Sequence, residues 1–300
     1  MRLAMVVNPA AGGGRGRRVL DAALPLLEAR GVQPDVAVSI NGEEPARLAR
    51  QAAEAGAELV VAVGGDGQAR AVASGLLGTP AALGILPAGS ANDYARALGM
   101  PRRDLPAAVD LLLGAGRRQL DVVRVEGAFG VVHYLNVGGA GFDSVVAATA
   151  DRIPLLRGSM RYALAVLREL PRFRAGHFRL VVDGAERELR AMVVVVANGA
   201  SYGGGMHVAP GASLTSGRLE LCIVAELSSF AFLRAFPRVY RGTHVDHPAV
   251  TMLPAREVLI EAEPAYEVTG DGERLGRLPA RFSVLPGALN AAIGRRAPLR

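Results

Sequence analysis

The chain has no lysine and no tryptophan, one cysteine and few aromatic residues, and each scarcity removes a class of function. All 34 basic residues are arginine. That excludes the Walker-type phosphate loop, the protein-kinase strand lysine and Schiff-base chemistry, which all need a lysine amine. Any phosphate clamp must use guanidinium groups, backbone amides and metal. The single Cys222 cannot form an intramolecular disulfide and suits a reducing compartment. Its setting, Leu219-Glu-Leu-Cys-Ile-Val224, reads as a strand interior, so the thiol is expected to pack. With 5% aromatic residues, stacking platforms for single-stranded nucleic acid are poorly supplied. Arginine is dispersed rather than gathered on one recognisable module, so no nucleic-acid partner is expected. Long apolar runs are also missing. Stretches such as 191–197 fall far short of the ~20 residues that span a bilayer. The early apolar segment, 3–7, is too short for a secretory h-region. A cytoplasmic location is expected.

What is present is a chain of 300 residues, half of them hydrophobic, enough for one large or two ordinary domains. A net charge of +6 favours anionic partners: nucleotides, nucleic acid or an acidic membrane face. The organising stretch is Glu58-Leu-Val-Val-Ala-Val-Gly-Gly-Asp-Gly67. Its apolar run, stopped by glycines before a helical pattern, reads as a buried strand delivering a tight loop. Backbone amides at such a helix start suit phosphate. Asp66 among them fits a Mg²⁺ or nucleotide-hydroxyl contact, or equally a helix cap.

Two more loops of this kind flank it. Residues 2–7 read as a strand ending in Asn8-Pro-Ala-Ala-Gly-Gly-Gly14, and residues 82–86 as one ending in Pro87-Ala-Gly-Ser-Ala-Asn-Asp93. A strand at 35–40 and helices at 43–56, 68–77 and 94–98 complete an alternating pattern. That pattern means a parallel sheet with right-handed crossovers, whose ligands lie at strand carboxyl ends. After about residue 116 the pattern changes. Strands are expected at 118–125, 131–137, 178–182, 189–197, 219–224, 258–263 and 280–285, with one clear helix at 154–170. Many strands with few helices suggest a β-sandwich. The expected division is an α/β domain at 1–120 and a β-sandwich at 121–288, with a tail, 289–300, returning to the first. The nucleotide rim would then face a cleft between domains.

Gly64-Gly-Asp-Gly67 together with Leu86-Pro-Ala-Gly-Ser-Ala-Asn-Asp93 resembles the diacylglycerol kinase superfamily of lipid kinases, which includes sphingosine kinases. The resemblance extends through Asn8-Pro-Ala-Ala-Gly12, Leu120-Asp121, Gly139-Ala-Gly-Phe-Asp143, Tyr202-Gly-Gly-Gly-Met206, Ala209-Pro210 and Gly270-Asp-Gly-Glu273. It implies a phosphofructokinase-like α/β nucleotide-binding domain followed by a β-sandwich. It also implies Mg²⁺-dependent transfer of the ATP γ-phosphoryl group to a lipid hydroxyl, diacylglycerol-like, at a membrane surface visited peripherally. Carried over by residue, Asn8, Pro9, Ala10, Ala11 and Gly12 would surround the ATP. Gly64, Gly65, Asp66, Gly67, Gln68, Ala69, Arg70 and Ala71 would do the same, with Gly89, Ser90, Asn92 and Asp93. Asp66 would act through Mg²⁺ or the phosphates. Glu273 would be the general base, with Asp271 beside it.

Phosphoryl transfer needs positioning and charge neutralisation, and a carboxylate near the acceptor hydroxyl suits it. The turn Thr269-Gly-Asp-Gly-Glu273 presents two acids free to project, although a plain hairpin would look the same. The sequence departs from the family where Thr and an Asn/His-Glu pair usually follow the Gly-Gly-Asp-Gly loop; here stand Gln68, Arg70 and Ala71. Gln68 retains a donor, Arg70 offers a phosphate clamp, and Ala71 replaces no carboxylate. Ser213-Leu-Thr-Ser-Gly-Arg218 stands where the family often has an Asp-Gly Mg²⁺ loop. Ser216 is a poor hard-metal ligand, so no metal is expected there. The alternatives are a catalytically silent nucleotide- or lipid-binding relative, or an NAD kinase, which shares the Gly-Gly-Asp-Gly loop. Arg157, Arg161 and Arg168 share a face of the 154–170 helix, suited to anionic headgroups or simply solvated. His244-Val-Asp-His247 lacks a third ligand and reads as a metal-free loop. A second copy of the chain is a further candidate partner.

Overall fold

The computed structural model describes residues 1–40, 44–114, 116–153, 159–294 and 297. It divides into two compact units, Met1–Val122 with Pro286–Arg300, and Val123–Leu285. The first contains β1 (Leu3–Val7), α1 (Ala11–Glu28), β2 (Asp35–Val38), α2 (Glu44–Glu54), β3 (Leu59–Gly64) and α3 (Asp66–Leu76). It continues with β4 (Ala82–Pro87), α4 (Asp93–Ala97), α5 (Leu105–Gly114) and the start of β5 (Arg117–Gly127). Its sheet runs β4-β3-β1-β2, with every neighbouring pair parallel. β1 and β3 are buried at every position. Their unbroken apolar sequences follow from cover on both faces. The edge strand β2, by contrast, exposes Val36 and Val38.

The order of these strands fixes the place of the loops. The chain passes from β1 outward to β2, returns past β1 to β3, and goes on to β4. Right-handed crossovers then place α1 on one face and α2 with α3 on the other. Accordingly α2 packs on α3, and α1 on α5. The winding reverses between β1 and β3, so their carboxyl ends border a switch point, where such sheets bind ligands.

The second unit completes β5 and adds β6 (Gly130–Tyr134), β7 (Val137–Gly141), α6 (Phe142–Asp151), α7 (Ser159–Glu169), β8 (Gly176–Val182) and β9 (Ala185–Ala197). Then come β10 (Leu219–Ala225), α8 (Ser229–Ala235) and 3-10 helices Phe236–Arg241 and Thr243–Asp246. The strands β11 (Val250–Ala255), β12 (Glu257–Glu263), β13 (Glu267–Gly270), β14 (Glu273–Arg277) and β15 (Ala280–Ala292) end it. The end of β15 belongs to the first unit, where Asn290 and Ala291 pair parallel with Ala82 and Leu83 of β4.

In the second unit β9 is the central strand: its first half pairs with β8 and its second half with β7 and β10. Side chains alternate between faces along a strand. Val194 and Val196 therefore enter one core with Phe178, Ile260 and Phe282. Val193, Val195 and Ala197 enter another with Val208 and Cys222. Four consecutive valines are needed because both faces are covered. Burial pushes the Cys222 thiol up to about 12, so it packs as a small apolar group.

Three expectations change. The strand read at 131–137 is two, β6 and β7, separated at Leu135-Asn136. The helix read at 154–170 is described only from Ser159 to Glu169, and Arg157 lies outside the described residues. The second unit has α6 and α8 besides α7. Phe142, Val146 and Ala150 of α6 point into a third core at helical spacing, a signal too short to read beside so many strands.

Candidate active site

The three glycine loops of the first unit meet backbone to backbone. The Asn8 N–H donates to the Val63 carbonyl at 3.0 Å, and the Ala88 N–H donates to the Gly64 carbonyl at 2.7 Å. The Asn8 Oδ1 accepts from the Ala10 N–H at 3.0 Å, and the Pro9 carbonyl accepts from Arg17 N–H at 3.2 Å. Gly12, Gly13 and Gly14 have φ of 60, 71 and 86°, so regular helix begins only after them. Any other L-residue there costs roughly 1–2 kcal/mol per position. A Cβ on Gly12 would stand 2.1 Å from the Ala88 carbonyl oxygen, and one on Gly89 2.6 Å from the Gly65 Cα. Close approach, beyond turn geometry, therefore dictates Gly12 and Gly89.

Arg15 braces the cluster. Its Nε donates to the Gly12 carbonyl at 3.2 Å and its Nη2 to the Gly89 carbonyl at 2.8 Å. Sequence reasoning missed it, because Arg15, Arg17 and Arg18 look alike after a glycine run. Asp66 opens α3, where a carboxylate favours the positive end of the helix. Its Oδ1 accepts from the N–H of buried Tyr94 at 2.9 Å, tying α3 to α4.

The rest of the expected nucleotide shell divides by what each side chain already holds. Gln68 is buried, and its Nε2 donates to the Val6 carbonyl at 3.1 Å and to Ser39 Oγ at 3.0 Å. Asn92, in the left-handed region at φ 53°, closes its own loop. Its Oδ1 accepts from the Gly89 N–H at 2.8 Å and its Nδ2 donates to the Gly89 carbonyl at 2.9 Å. Asp93 is buried and lies 3.5 Å from Arg96. Ala69 is buried, Gly67 and Ala71 are half-buried, and Ser90 is exposed. The Arg70 Nε is buried and has no hydrogen-bond partner among the described residues. An unsatisfied buried guanidinium N–H is costly unless an anion meets it.

In the second unit the two acids of the β13–β14 turn separate. The Glu273 side chain is exposed, and its carboxylate makes no hydrogen bond or ion pair with a described residue. Asp271, expected to project beside it, instead turns its carboxylate inward. One oxygen accepts from the Leu135 N–H at 2.8 Å and the other from the Asn136 and Val137 N–H groups at 3.0 Å each. Three oriented amides consolidate a negative charge, so Asp271 pins the β6–β7 turn to the hairpin. Asp271 itself adopts φ 51°. Asp143, at the start of α6, has a buried Oδ1 with no hydrogen-bond partner among the described residues, and its Oδ2 accepts from Thr269 Oγ1 at 3.4 Å. Burial pushes its carboxyl up to about 6, offset partly by the Ser144 amide and the Thr269 hydroxyl.

Metal must be matched to these donors. Among the described residues no three His, Cys, Asp or Glu side chains group closely enough to hold an ion. Mg²⁺ commonly takes one or two carboxylates and completes its shell with water and substrate phosphates. Asp66 beside the glycine loops fits that kind of site. The loop at Ser213 does not fit metal: Ser216 Oγ accepts from the Arg218 N–H at 3.3 Å and donates to the Ser213 carbonyl at 3.1 Å. The Ser213 and Thr215 hydroxyls lie 3.3 Å apart. Hydroxyls bind this loop to itself.

Comparison with known proteins agrees with this arrangement. Residues 2–125 match the family described as diacylglycerol kinase catalytic domain. Residues 136–293 match the family described as YegS C-terminal NAD kinase beta sandwich-like domain. A diacylglycerol kinase of Mycobacterium tuberculosis is 33% identical over 290 residues, covering 96% of this chain and 94% of that protein. One of Bacillus subtilis is 28% identical, covering 94% and 92%. The crystal structure of a diacylglycerol kinase from Bacillus anthracis superposes with a TM-score of 0.75 at 22% identity, over 99% of this chain and 98% of that one. A mixed α/β unit with converging glycine loops, a β-sandwich-like second unit and these full-length likenesses agree: the chain belongs to the diacylglycerol kinase family and is an ATP-dependent lipid kinase.

Proposed function

We propose that this kinase transfers the γ-phosphoryl group of ATP to the primary hydroxyl of diacylglycerol, working peripherally at a membrane. The observation that carries phosphoryl transfer is the loop cluster at the carboxyl ends of β1, β3 and β4, held backbone to backbone and braced by Arg15. The acceptor follows from relatives named diacylglycerol kinase that match almost from end to end. In this reading the loops at residues 8–12, 64–67 and 89–90 surround the phosphates, the first-turn amides of α3 face them, and Arg70 supplies a cation in a chain without lysine. Gln68 and Asn92 hold the loops in shape rather than touch the nucleotide. Asp66 would help hold Mg²⁺, which when bound would supply charge neutralisation.

Glu273 takes the proton of the acceptor hydroxyl, and Asp271 fixes the turn that carries it. A positioned base typically contributes ~10²–10⁴-fold. The test is transfer from γ-labelled ATP with Mg²⁺ into mixed micelles of diacylglycerol, beside parallel reactions offering phosphatidylglycerol, sphingosine and NAD. Labelled phosphatidic acid from wild type, and a roughly 10²–10⁴-fold lower rate with Glu273→Gln, are expected. Label in another acceptor only, or equal rates from both proteins, would overturn the acceptor or the base respectively.

A further inference from the structure

The second unit carries an apolar and cationic ridge that its fold does not use. On α8, residues 230, 233 and 234 lie within about 100° of one another. Phe230 is 76% exposed, Leu233 is 41% exposed, and Arg234 is exposed beside them. On α7, Leu164, Leu167 and Arg168 repeat the same i, i+3, i+4 pattern, with the two leucines 44% and 59% exposed. The inner faces of both helices are anchored in one core. Ala165 and Val166 of α7 and Phe232 of α8 pack there with Phe142. The Ser229 hydroxyl also donates to the Leu170 carbonyl at 3.2 Å.

Along α8 and the following 3-10 helix lies an open hollow of about 340 Å³, lined by Ala231, Arg234, Ala235, Arg238 and His247. Arg238 is fixed there by its 2.6 Å bond to the Thr243 carbonyl. Arg234 has no ion pair among the described residues. Tyr240, half exposed, follows on the 3-10 helix. From residue 227 to 256 the sequence holds a single acid, Asp246, against the four arginines 234, 238, 241 and 256. An exposed phenylalanine with aliphatic and aromatic neighbours is unfavourable in water. The same group, rimmed by guanidinium, is favourable where acyl chains meet phosphate headgroups.

We propose that α8, with the exposed faces of α7 and the 3-10 helix, docks this protein on an anionic phospholipid bilayer. Phe230 and Leu233 enter the acyl boundary, and Arg234 and Arg238 receive headgroup phosphates in the hollow. The choice of a bilayer rests on the lipid-kinase reading and on the charge of this surface.

The experiment is co-sedimentation with phosphatidylcholine vesicles, with and without phosphatidylglycerol, for wild type, Arg234→Ala and the double variant Phe230→Ser/Leu233→Ser. Thermal denaturation of each variant verifies folding, and sedimentation velocity gives its oligomeric state. Wild type should prefer anionic vesicles and release with salt. Arg234→Ala should bind about fivefold more weakly, and the double variant at least about tenfold more weakly. Phosphorylation of a short-chain diacylglycerol dissolved below its micelle concentration should be unchanged in every variant. Equal vesicle binding by folded variants overturns the proposal. So does a wild-type dimer that the double variant dissociates without changing vesicle binding, since the ridge is then an interface between copies. If no protein phosphorylates the dissolved acceptor while the variants still lose vesicle binding, the docking surface stands and the acceptor assignment fails.

Discussion

Asp271 and Glu273 stand two residues apart on one turn, yet the structure gives them opposite surroundings. Three backbone amides hold the Asp271 carboxylate, while the Glu273 carboxylate is exposed without a protein partner among the described residues. Asp271→Asn places an amide N–H₂ where donors converge, and we expect it to destabilise the protein by about 2 kcal/mol. Glu273→Gln should leave thermal stability unchanged and act on turnover alone. Thermal denaturation beside kinase rates separates the two, and an undiminished midpoint for Asp271→Asn would refute the scaffold role. Asp143 gives a pH signature. Burial pushes its folded carboxyl up to about 6 from the ordinary 3.8. The folded state therefore keeps a proton that the unfolded chain releases from about pH 4 upward, and stability falls as pH rises from about 4 to about 6. Asp143→Asn should remove this loss, stabilising the protein at neutral pH by on the order of 2–3 kcal/mol, with the gain vanishing near pH 4. Denaturant unfolding across that range measures it. The sequence showed Asp143 and Asp271 as motif members, but their roles depend on amides and hydroxyls contributed by distant segments.

At the scale of elements, the last strand has the most consequence for the first unit. Gly287 donates to Asp121 Oδ1 at 2.9 Å, Asn290 and Ala291 pair with β4, and the Gly294 N–H donates to the Leu98 carbonyl at 2.9 Å. Leu289, Ala291 and Ala292 are buried. Truncation before Gly287 removes these contacts and leaves β4 as a raw edge. At about 1 kcal/mol per net hydrogen bond plus the lost burial, a cost of at least about 3 kcal/mol is expected. Limited proteolysis should then cleave the first unit markedly faster; equal rates would show that β15 is dispensable there. The strands and glycine loops of the first unit were legible because glycine punctuation and unbroken apolar runs are local signals. The helices α5, α6 and α8 were not read. Seven residues of α8 with outward Phe230 and Leu233 give no inward stripe, and only packing on α6 and α7 reveals which face is buried.

For the whole molecule, ligand linkage offers a test that is independent of the acceptor. ATP at about one hundred times its Kd should raise stability by about 2.7 kcal/mol if only the folded chain binds it. An unshifted denaturation midpoint with saturating ATP would remove the glycine-loop cluster from its assigned role. Chelator alone should leave the midpoint where it was, since hydroxyls close the Ser213 loop.

The sequence by itself determined the two-part architecture, the absence of lysine chemistry and the three glycine loops. Each rests on composition, periodicity or residues adjacent in the chain. Only the tertiary structure decided which side chains remain for chemistry. Gln68 and Asn92 spend their amides on the protein, Asp271 spends its charge on a turn, and Arg70 and Glu273 keep groups that no described residue satisfies. The reason is physical: a polar group's role is set by the donors and acceptors that folding brings to it, and those come from positions far away in sequence.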